Sequence, residues 1–284
     1  MKKLFIIALT AVGLLACTGQ NGPSNPVAKN GTLPGKFSVS ETTQIQFAQG
    51  NLQYQASTKT WQFAEHQYDA IGEANKNISD TYDGWIDLFG YGTGNNPTLS
   101  SKEEKDYEPY VEWGVNAISN GGNKANMWRT LTRSESEYLF ASRANAATLF
   151  GFGSVNKVNG LIILPDNWVT PKDVTFTPST ELGLADMGGY GLYRNEKEDN
   201  FSHNTYTAEQ WSVMEKAGAV FLPAAGIRLG TGVGTIGVWG YYWVQLSYDL
   251  GDDPWITNIT LSNYELDAYR SQGNYYGVSV RLVR

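Results

Sequence analysis

The chain has 284 residues, of which 41% are hydrophobic and 13% aromatic, and it carries a formal charge of −7 at pH 7. This length is sufficient for one large domain, or two smaller ones, with a buried core. The negative charge and the lack of any run rich in lysine or arginine argue against nucleic acid as a partner, because phosphate binding requires a basic surface.

The amino terminus has the pattern of an export signal. Met1-Lys2-Lys3 is a short basic segment, and the apolar stretch from Leu4 to Leu15 follows it. That stretch is too short to anchor the chain across a hydrocarbon core of ~30 Å, so residues 1–16 are predicted to be a signal peptide. Leu14-Leu15-Ala16-Cys17 resembles the lipobox of bacterial lipoproteins, which implies that Cys17 carries lipid and becomes the mature amino terminus.

Cys17 is the one cysteine of the chain. The folded body is therefore expected to contain no disulfide, no zinc-thiolate site and no cysteine nucleophile. Residues 17–35 are rich in Gly, Pro, Asn and Ser without periodicity, which predicts a flexible tether. The folded domain is then expected to cover residues 36–284.

The composition of this domain, rich in aromatic residues, Gly, Asn, Ser and Thr, favours short strands and many turns over long helices. Alternation of apolar and polar residues predicts its first strands. They are expected at residues 37–40, 44–47, 51–54 and 60–63, the last two as a hairpin.

Two helices are predicted from their capping signals. The first runs from Thr132 to Ala144, with Glu135 three residues after Thr132 as in a capping box. The second covers Thr207 to Ala217, with Gln210 in the equivalent position. From Tyr241 onward the sequence shows no amphipathic helix, and alternating residues at 276–283 predict a terminal strand.

A glycine-rich run, Gly232-Val-Gly-Thr-Ile-Gly237, has the spacing of a dinucleotide-binding loop. Such a loop must follow a buried strand and open a helix. Here the run continues into Val-Trp-Gly-Tyr-Tyr-Trp, which is typical of a strand. We therefore expect no dinucleotide and no other cofactor.

Metal-binding and nucleophilic patterns are weak. His66 and His203 are isolated and give no zinc ligand set, and the chain has no G-x-S-x-G nucleophile elbow. Asp249, Asp252 and Asp253 could hold a calcium ion, although a plain acidic turn is the simpler interpretation. No catalytic residue and no metal ligand are assigned.

Carboxylates are plentiful, but their spacing does not define an acid–base pair. Glu135 and Glu137 lie two residues apart on the first predicted helix and so point to different faces. The acidic segment at residues 103–108 is interrupted by lysine and is predicted to be a solvated surface. A glycan hydrolase needs two carboxylates across a cleft, and this alternative stays open.

Aromatic side chains are concentrated between Trp239 and Tyr276, where they are interleaved with Asn, Ser, Asp and Gly. Tyr and Trp supply large contact areas with few rotatable bonds, and small polar residues add adaptable hydrogen bonds, a combination typical of a binding surface. The alternative is that half of these rings belong to the core. Tyr242, Trp243 and Tyr276 are expected to be buried.

Several segments resemble a known family. Trp128-Arg-Thr-Leu-Thr-Arg-Ser-Glu-Ser-Glu-Tyr138 is similar to the W-R-x-[LP]-T-x-x-E-W-E-Y segment of formylglycine-generating-enzyme-like domains, a branch of the C-type lectin-like fold, with Ser136 in place of the usual Trp. The likeness to lipoproteins of anaerobic gut bacteria spans about residues 35–284. It includes Gly160–Trp168, Val220–Gly226, Gly240–Trp243 and Gly277–Val283.

The resemblance implies an α+β, C-type lectin-like fold and a ligand-binding role. The enzymatic branch oxidises substrate cysteines through a copper-binding cysteine pair, which this chain lacks, so it is not expected to be an enzyme. In related proteins, retroelements diversify a carboxyl-terminal surface, here about residues 230–276. The family usually continues Tyr-Trp into Ser-Ser-Thr, whereas Val244-Gln245-Leu246 follows Trp243 in this chain.

Two sets of residues follow from these expectations. The scaffold residues implied by the resemblance are Glu135, Glu137, Tyr138, Gly240, Trp243, Gly277 and Arg281. The predicted ligand-binding residues are Trp239, Tyr241, Gln245, Tyr248, Trp255, Asn258, Asn263, Tyr264, Asp267, Tyr269 and Tyr275.

The sequence thus predicts a non-catalytic lipoprotein, anchored in the outer membrane through lipid on Cys17 and displayed at the cell surface, whose ligand is an extracellular protein or glycan. The alternatives are a glycan-handling hydrolase with paired carboxylates and a structural or tip subunit of a surface assembly. The ligand, the membrane face, the oligomeric state and the occurrence of diversification stay open at this point.

Overall fold

The computed structural model describes residues 30–179, 185–186, 192–194, 200–245 and 256–284. Over these residues the protein is α+β, with many strands and few helices, as predicted. None of the helices described is both long and apolar enough to cross a membrane.

The first part of the chain forms two small antiparallel sheets. Its strands are β1 (Phe37–Ser38), β2 (Gln44–Ile45), β3 (Leu52–Gln55), β4 (Thr60–Phe63) and β5 (Trp85–Ile86). β1 pairs with β2, and the second sheet has the order β4-β3-β5. The predicted hairpin is confirmed, with Leu52 opposite Phe63 and Gln55 opposite Thr60.

The folded body begins earlier than the predicted boundary at residue 36. Thr32 forms a β-bridge with Ala48. The N–H of Leu33 donates to the carbonyl oxygen of Phe47 at 2.9 Å, and the Leu33 side chain is fully buried. Residues 30–35 therefore belong to the fold rather than to a tether, because Leu33 supplies part of its core.

Six further strands lie in the middle of the chain. They are β6 (Phe150–Val155), β7 (Val158–Ile163), β8 (Ala185–Asp186), β9 (Leu192–Arg194), β10 (Thr205–Tyr206) and β11 (Val220–Pro223). One sheet has the order β10-β6-β7-β11, in which β10 runs parallel to β6 and the other pairs are antiparallel.

Both predicted helices form, and both have the expected capping box. Helix α1 (Arg133–Glu137) continues as a π-helical segment, Tyr138–Ser142. The N–H of Glu135 donates to Thr132 Oγ1 at 3.2 Å, and the N–H of Thr132 donates to Glu135 Oε2 at 2.8 Å. Arg129 adds a two-pronged ion pair to the same carboxylate, with both N···O distances at 2.6 Å.

Helix α2 (Ala208–Lys216) is capped in the same way by Thr207 and Gln210. Its buried face carries Trp211 and Met214, which belong to a core cluster with Phe221. The capping threonines thus fix where each helix starts, and the apolar positions fix which side packs.

The last part of the chain contains β12 (Ile227–Leu229), β13 (Gly232–Gly234), β14 (Trp239–Trp243), β15 (Thr257–Ser262), β16 (Glu265–Ser271) and β17 (Tyr276–Gly277). One sheet has the order β13-β12-β17 and another β14-β15-β16-β9-β8. The glycine-rich run therefore lies in β13 and in the turn before β14. A strand follows Gly237 where a dinucleotide-binding loop would require a helix.

The predicted terminal strand is shorter than expected. β17 covers only Tyr276–Gly277, and the chain then makes isolated bridges to separate segments. These bridges join Val278 to Phe89, Ser279 to Tyr242, and Val283 to Phe47 and Arg129. Residues 277–283 are buried on both sides. The alternation of apolar and polar residues in this segment therefore does not indicate one exposed side. The segment runs between other elements that cover it on both sides, and not along the edge of a sheet.

The scaffold residues implied by the resemblance make structural contacts. Trp243 donates from Nε1 to the Phe89 carbonyl oxygen at 2.7 Å. A Cβ on Gly240 would lie 2.9 Å from the carbonyl oxygen of Pro223, and a Cβ on Gly277 would lie 2.7 Å from the guanidinium of Arg228.

The remaining scaffold residues lie at α1 and at the end of the chain. Glu137 pairs with Arg133 at 3.0 Å, and half-buried Tyr138 begins the π-helical segment. Arg281, only 4% exposed, donates to Asn51 Oδ1 and to the carbonyl oxygens of Ala48 and Phe221 at 3.1, 3.1 and 2.8 Å.

Candidate ligand-binding surface

Strand β14 separates its aromatic residues onto two sides of the sheet. Tyr242 points into the main core, the cluster that also contains Phe150, Leu222 and Leu261, and it is 1% exposed. Trp239 and Tyr241 lie on the opposite side and are partly exposed, as the alternation of a strand requires. Trp243 shares their side but is 2% exposed, because a second core cluster containing Phe89 covers that end of the sheet. The prediction that Tyr242 and Trp243 are buried is confirmed, whereas Tyr276 is only half-buried.

The exposed end of this side carries three aromatic rings in contact. Trp239 and Tyr241 stack with their ring centroids 6.0 Å apart and an interplanar angle of 12°. Tyr264, from the turn between β15 and β16, meets Trp239 edge-on at 5.6 Å and 85°. We call Trp239, Tyr241 and Tyr264 the aromatic face. Such ring pairs restrain one another's rotamers, so the face is ordered before any ligand arrives.

Charged residues of β16 and β9 border the aromatic face. The Arg270 guanidinium lies 5.8 Å from the Trp239 ring centroid, within range of a cation–π interaction. Arg270 also pairs with Glu265 at 2.7 Å, and Arg194 binds the other oxygen of Glu265 at 2.5 Å. The Glu265 side chain is 1% exposed, and its two arginine partners offset the cost of burying its charge.

Asp267 is the second carboxylate on this side of the sheet. It lies opposite Thr260, which in turn lies opposite Tyr241. Burial raises the pKa of Asp267, although the N–H of Tyr269 donates to Asp267 Oδ1 at 3.1 Å. Burial likewise raises the pKa of the Tyr241 hydroxyl. A polar group of a ligand would therefore meet a partly desolvated carboxylate and a neutral phenol.

Asn258 was predicted to bind ligand, but the structure places it inside. It lies opposite Trp243, at the end of the sheet that the second core cluster covers, and it is fully buried. Thr260 Oγ1 donates to Asn258 Oδ1 at 2.6 Å, while Asn258 Nδ2 has no acceptor among the residues that the structure describes. Asn258 is therefore not a surface residue.

Tyr269 lies on the other side of the sheet from the aromatic face. A β-bulge between the Asn258 and Thr260 pairings shifts the register of β16. The shift turns Tyr269 toward the main core, and the Arg133 guanidinium of α1 lies 4.6 Å from its ring centroid. The same shift places Arg270 on the side of the sheet that carries Trp239.

The other predicted residues are more scattered. Gln245 follows β14 beside α1, where its N–H donates to the Leu131 carbonyl oxygen at 2.7 Å. Asn263 is half-exposed in the turn that carries Tyr264. Tyr275 precedes β17, with its ring 4.7 Å from that of Tyr276. Tyr248 and Trp255, the acidic residues Asp249, Asp252 and Asp253, and Cys17 lie outside the described residues.

The structure thus brings together Trp239, Tyr241, Tyr264 and Asp267 from the predicted set. Arg270, Glu265 and Arg194 join them but were missed from the sequence. The side of the sheet on which Arg270 lies depends on the bulge. Arg194 reaches this surface through the pairing of β9 with β16. No protein-family model, no curated protein and no solved structure matches the chain.

Proposed function

We propose that this protein is a non-catalytic recognition protein with a C-type lectin-like domain, which binds an extracellular protein or glycan on its aromatic face. The observation that carries the proposal is the partly exposed group of Trp239, Tyr241 and Tyr264 beside Arg270, held on a hydrogen-bonded sheet. Because these rings are already packed, binding costs little side-chain ordering entropy. The lipobox-like sequence ending at Cys17 supports anchorage by lipid at the outer membrane and display at the cell surface.

The face presents stacked aromatic surface together with a cation and a carboxylate. Aromatic rings and Arg are the side chains most enriched at the energetic centres of interfaces. Near the aromatic face, a Cβ added at Gly234 would meet no neighbouring atom within 4 Å, so this position has room for a side chain without disturbing the core beneath β14. This arrangement supports a surface on which single substitutions change the partner, as the resemblance to retroelement-diversified proteins implies.

A glycan and protein array probed with the purified full-length chain tests the proposal. Trp239→Ala and Tyr264→Ala are each expected to weaken binding to the ligand by at least about tenfold, because truncation of a central aromatic anchor typically costs 2 kcal/mol or more. Trp168→Ala is the matched control, since Trp168 is also half-exposed but packs against the core cluster that contains Trp211 and Met214. Equal binding by the wild type and all three variants would move the binding site away from the aromatic face.

The hydrolase alternative requires a carboxylate that is able to donate a proton or attack. Glu265, the buried carboxylate beside the aromatic face, has both oxygens bound by arginine and serves neither role in this arrangement. Asp267, whose pKa burial raises, is then the one carboxylate on this side of the described sheet that could act, whereas the mechanism requires two. The alternative of a structural subunit predicts stable co-purification with other envelope proteins. Both stay secondary to the recognition proposal.

A further inference from the structure

A groove of about 740 Å³ opens at the end of the β15–β16 hairpin opposite Tyr264. The acidic loop at residues 104–108 and the turn at residues 271–275 line it, together with Ile256. β16 runs from Glu265 to Ser271, so a rise of about 3.4 Å per residue separates the groove from Tyr264 by about 20 Å. The groove is thus a different surface from the aromatic face.

Hydrogen bonds hold the loop and the turn together. Asn274 Nδ2 donates to the carbonyl oxygen of Glu104 at 2.9 Å, and the N–H of Tyr91 donates to the carbonyl oxygen of Asn274 at 2.9 Å. The Tyr107 hydroxyl, from the acidic loop, donates to the Ser101 carbonyl oxygen at 2.8 Å. The loop is therefore positioned by its own contacts, and the groove exists without a ligand.

The groove is rich in unused hydrogen-bond acceptors. Glu104 and Glu108 are exposed, and within the described residues neither carboxylate forms an ion pair. Asn274, 7% exposed, has its Oδ1 buried with no hydrogen-bond donor in the described part of the chain. A buried acceptor without a donor is costly, and a donor supplied by a ligand would remove that cost.

An aromatic ring completes the groove. Tyr275 is half-exposed on the turn, and its position beside Tyr276 limits its rotation. The face of a tyrosine ring attracts cations. Lys105 also lines the groove, so one positive charge stands against the two carboxylates. Carboxylates, an unsatisfied amide oxygen and an aromatic ring together select a cationic group that donates several hydrogen bonds.

We propose that this groove binds an alkylammonium or guanidinium group, in the form of a lysine or arginine side chain presented by a protein partner. The ammonium or guanidinium would lie between Glu104 and Glu108, donate to Asn274 Oδ1 and rest its alkyl stem on the Tyr275 ring. The net negative charge of the chain, −7, favours the approach of such a partner.

Fluorescence anisotropy with a labelled hexalysine peptide tests this proposal on the full-length chain. The wild type is expected to bind the peptide, and the double variant Glu104→Gln/Glu108→Gln to bind it at least about fivefold more weakly. The control, Glu41→Gln/Glu65→Gln, removes the same charge from exposed positions outside the groove and is expected to bind within about twofold of the wild type. Circular dichroism confirms that each variant is folded.

One further measurement separates the groove from simple charge attraction, and a second tests whether binding requires the ammonium group. Tyr275→Ala is expected to weaken hexalysine binding by about threefold through loss of the cation–π contact, and Nε-acetylated hexalysine is expected not to bind. Equal weakening by the two double variants, or unchanged binding by Glu104→Gln/Glu108→Gln, would overturn the proposal. Trp239→Ala is expected to leave hexalysine binding unchanged, so failure of the groove and failure of the aromatic face are distinguishable.

Discussion

Asp87 is a carboxylate with no exposure to solvent. It accepts hydrogen bonds from the Ile71 N–H at 2.9 Å and from Asn75 Nδ2 at 2.8 Å. Asn75 Oδ1 in turn accepts from the N–H of Asp87 at 2.9 Å. Burial raises the pKa of Asp87 to about 6, and these hydrogen bonds only partly oppose the effect. These hydrogen bonds tie the 3₁₀ helix Gly72–Asn77 to the end of β5, which immediately precedes Asp87.

This pKa predicts a pH dependence of stability. The folded-state pKa of about 6 lies above the ordinary aspartate pKa of 3.8, so the folded state binds more protons between these values. The contribution of Asp87 to the free energy of unfolding is therefore largest below about pH 4, and it falls by about 3 kcal/mol as pH rises through about 6. Urea unfolding of wild type and Asp87→Asn between pH 4 and 7 should show the difference between them decreasing by this amount.

Asp83→Asn is the control for that experiment, because Asp83 is exposed. Its stability difference from the wild type is expected to stay nearly flat over the same range. An Asp87→Asn difference that is equally flat, or that rises with pH, would show that the buried carboxyl does not titrate as inferred.

At the scale of single elements, the two helices depend on local capping. α1 has only the residues Arg133–Glu137 before its π-helical segment, so its own hydrogen bonds contribute little and its start depends on Thr132 and Glu135. Ser136 Oγ donates to the Ala268 carbonyl oxygen at 2.7 Å, which docks the helix on β16. The small Ser136 side chain permits this close approach.

Thr132→Ala is expected to lower the free energy of unfolding by about 1–2 kcal/mol, because the N–H of Glu135 loses its acceptor. Chemical denaturation measures this change. Ser142→Ala, at an exposed position near the end of the π-helical segment, should change the stability by less than about 0.5 kcal/mol. Equal effects of the two substitutions would show that the capping box does not stabilise α1.

Short-range patterns predicted the elements that depend on neighbouring residues. Both capping boxes and the hairpin of β3 and β4 follow from spacings of a few residues, and the structure confirms them. The bulge in the β15–β16 pairing has no such signature, since it depends on how two strands align. For this reason the sequence placed Tyr269 on the wrong side of the sheet and missed Arg270. Asn258 was misplaced because distant residues, including Phe89, cover its end of the sheet.

At the scale of the whole molecule, Arg281 joins segments that are far apart in the chain. Its guanidinium donates to Asn51 Oδ1 and to the carbonyl oxygens of Ala48 and Phe221. Burial lowers the pKa of Arg281 to about 10, which shows that the interior does not favour its charge. The hydrogen bonds offset that cost by satisfying several acceptors at once.

Arg281→Met is expected to lower the free energy of unfolding by about 4 kcal/mol, because it leaves several buried acceptors without a donor. Arg281→Lys should cost less, since an ammonium keeps some of these bonds. Arg284→Met, which removes the exposed arginine three residues later, should change stability by less than about 1 kcal/mol. Thermal or urea unfolding distinguishes these outcomes, and similar losses for Arg281→Met and Arg284→Met would contradict the central role of Arg281.

The threading of residues 278–283 between distant segments sets an order of events during folding. Val278, Val280 and Leu282 are fully buried, and their neighbours in the bridges and core clusters come from segments made much earlier. Until these side chains join, the second core cluster lacks three of its members. Closure of that cluster is therefore a late, long-range step of folding, whereas the cluster around Trp211 and Phe221 does not depend on residues 278–283.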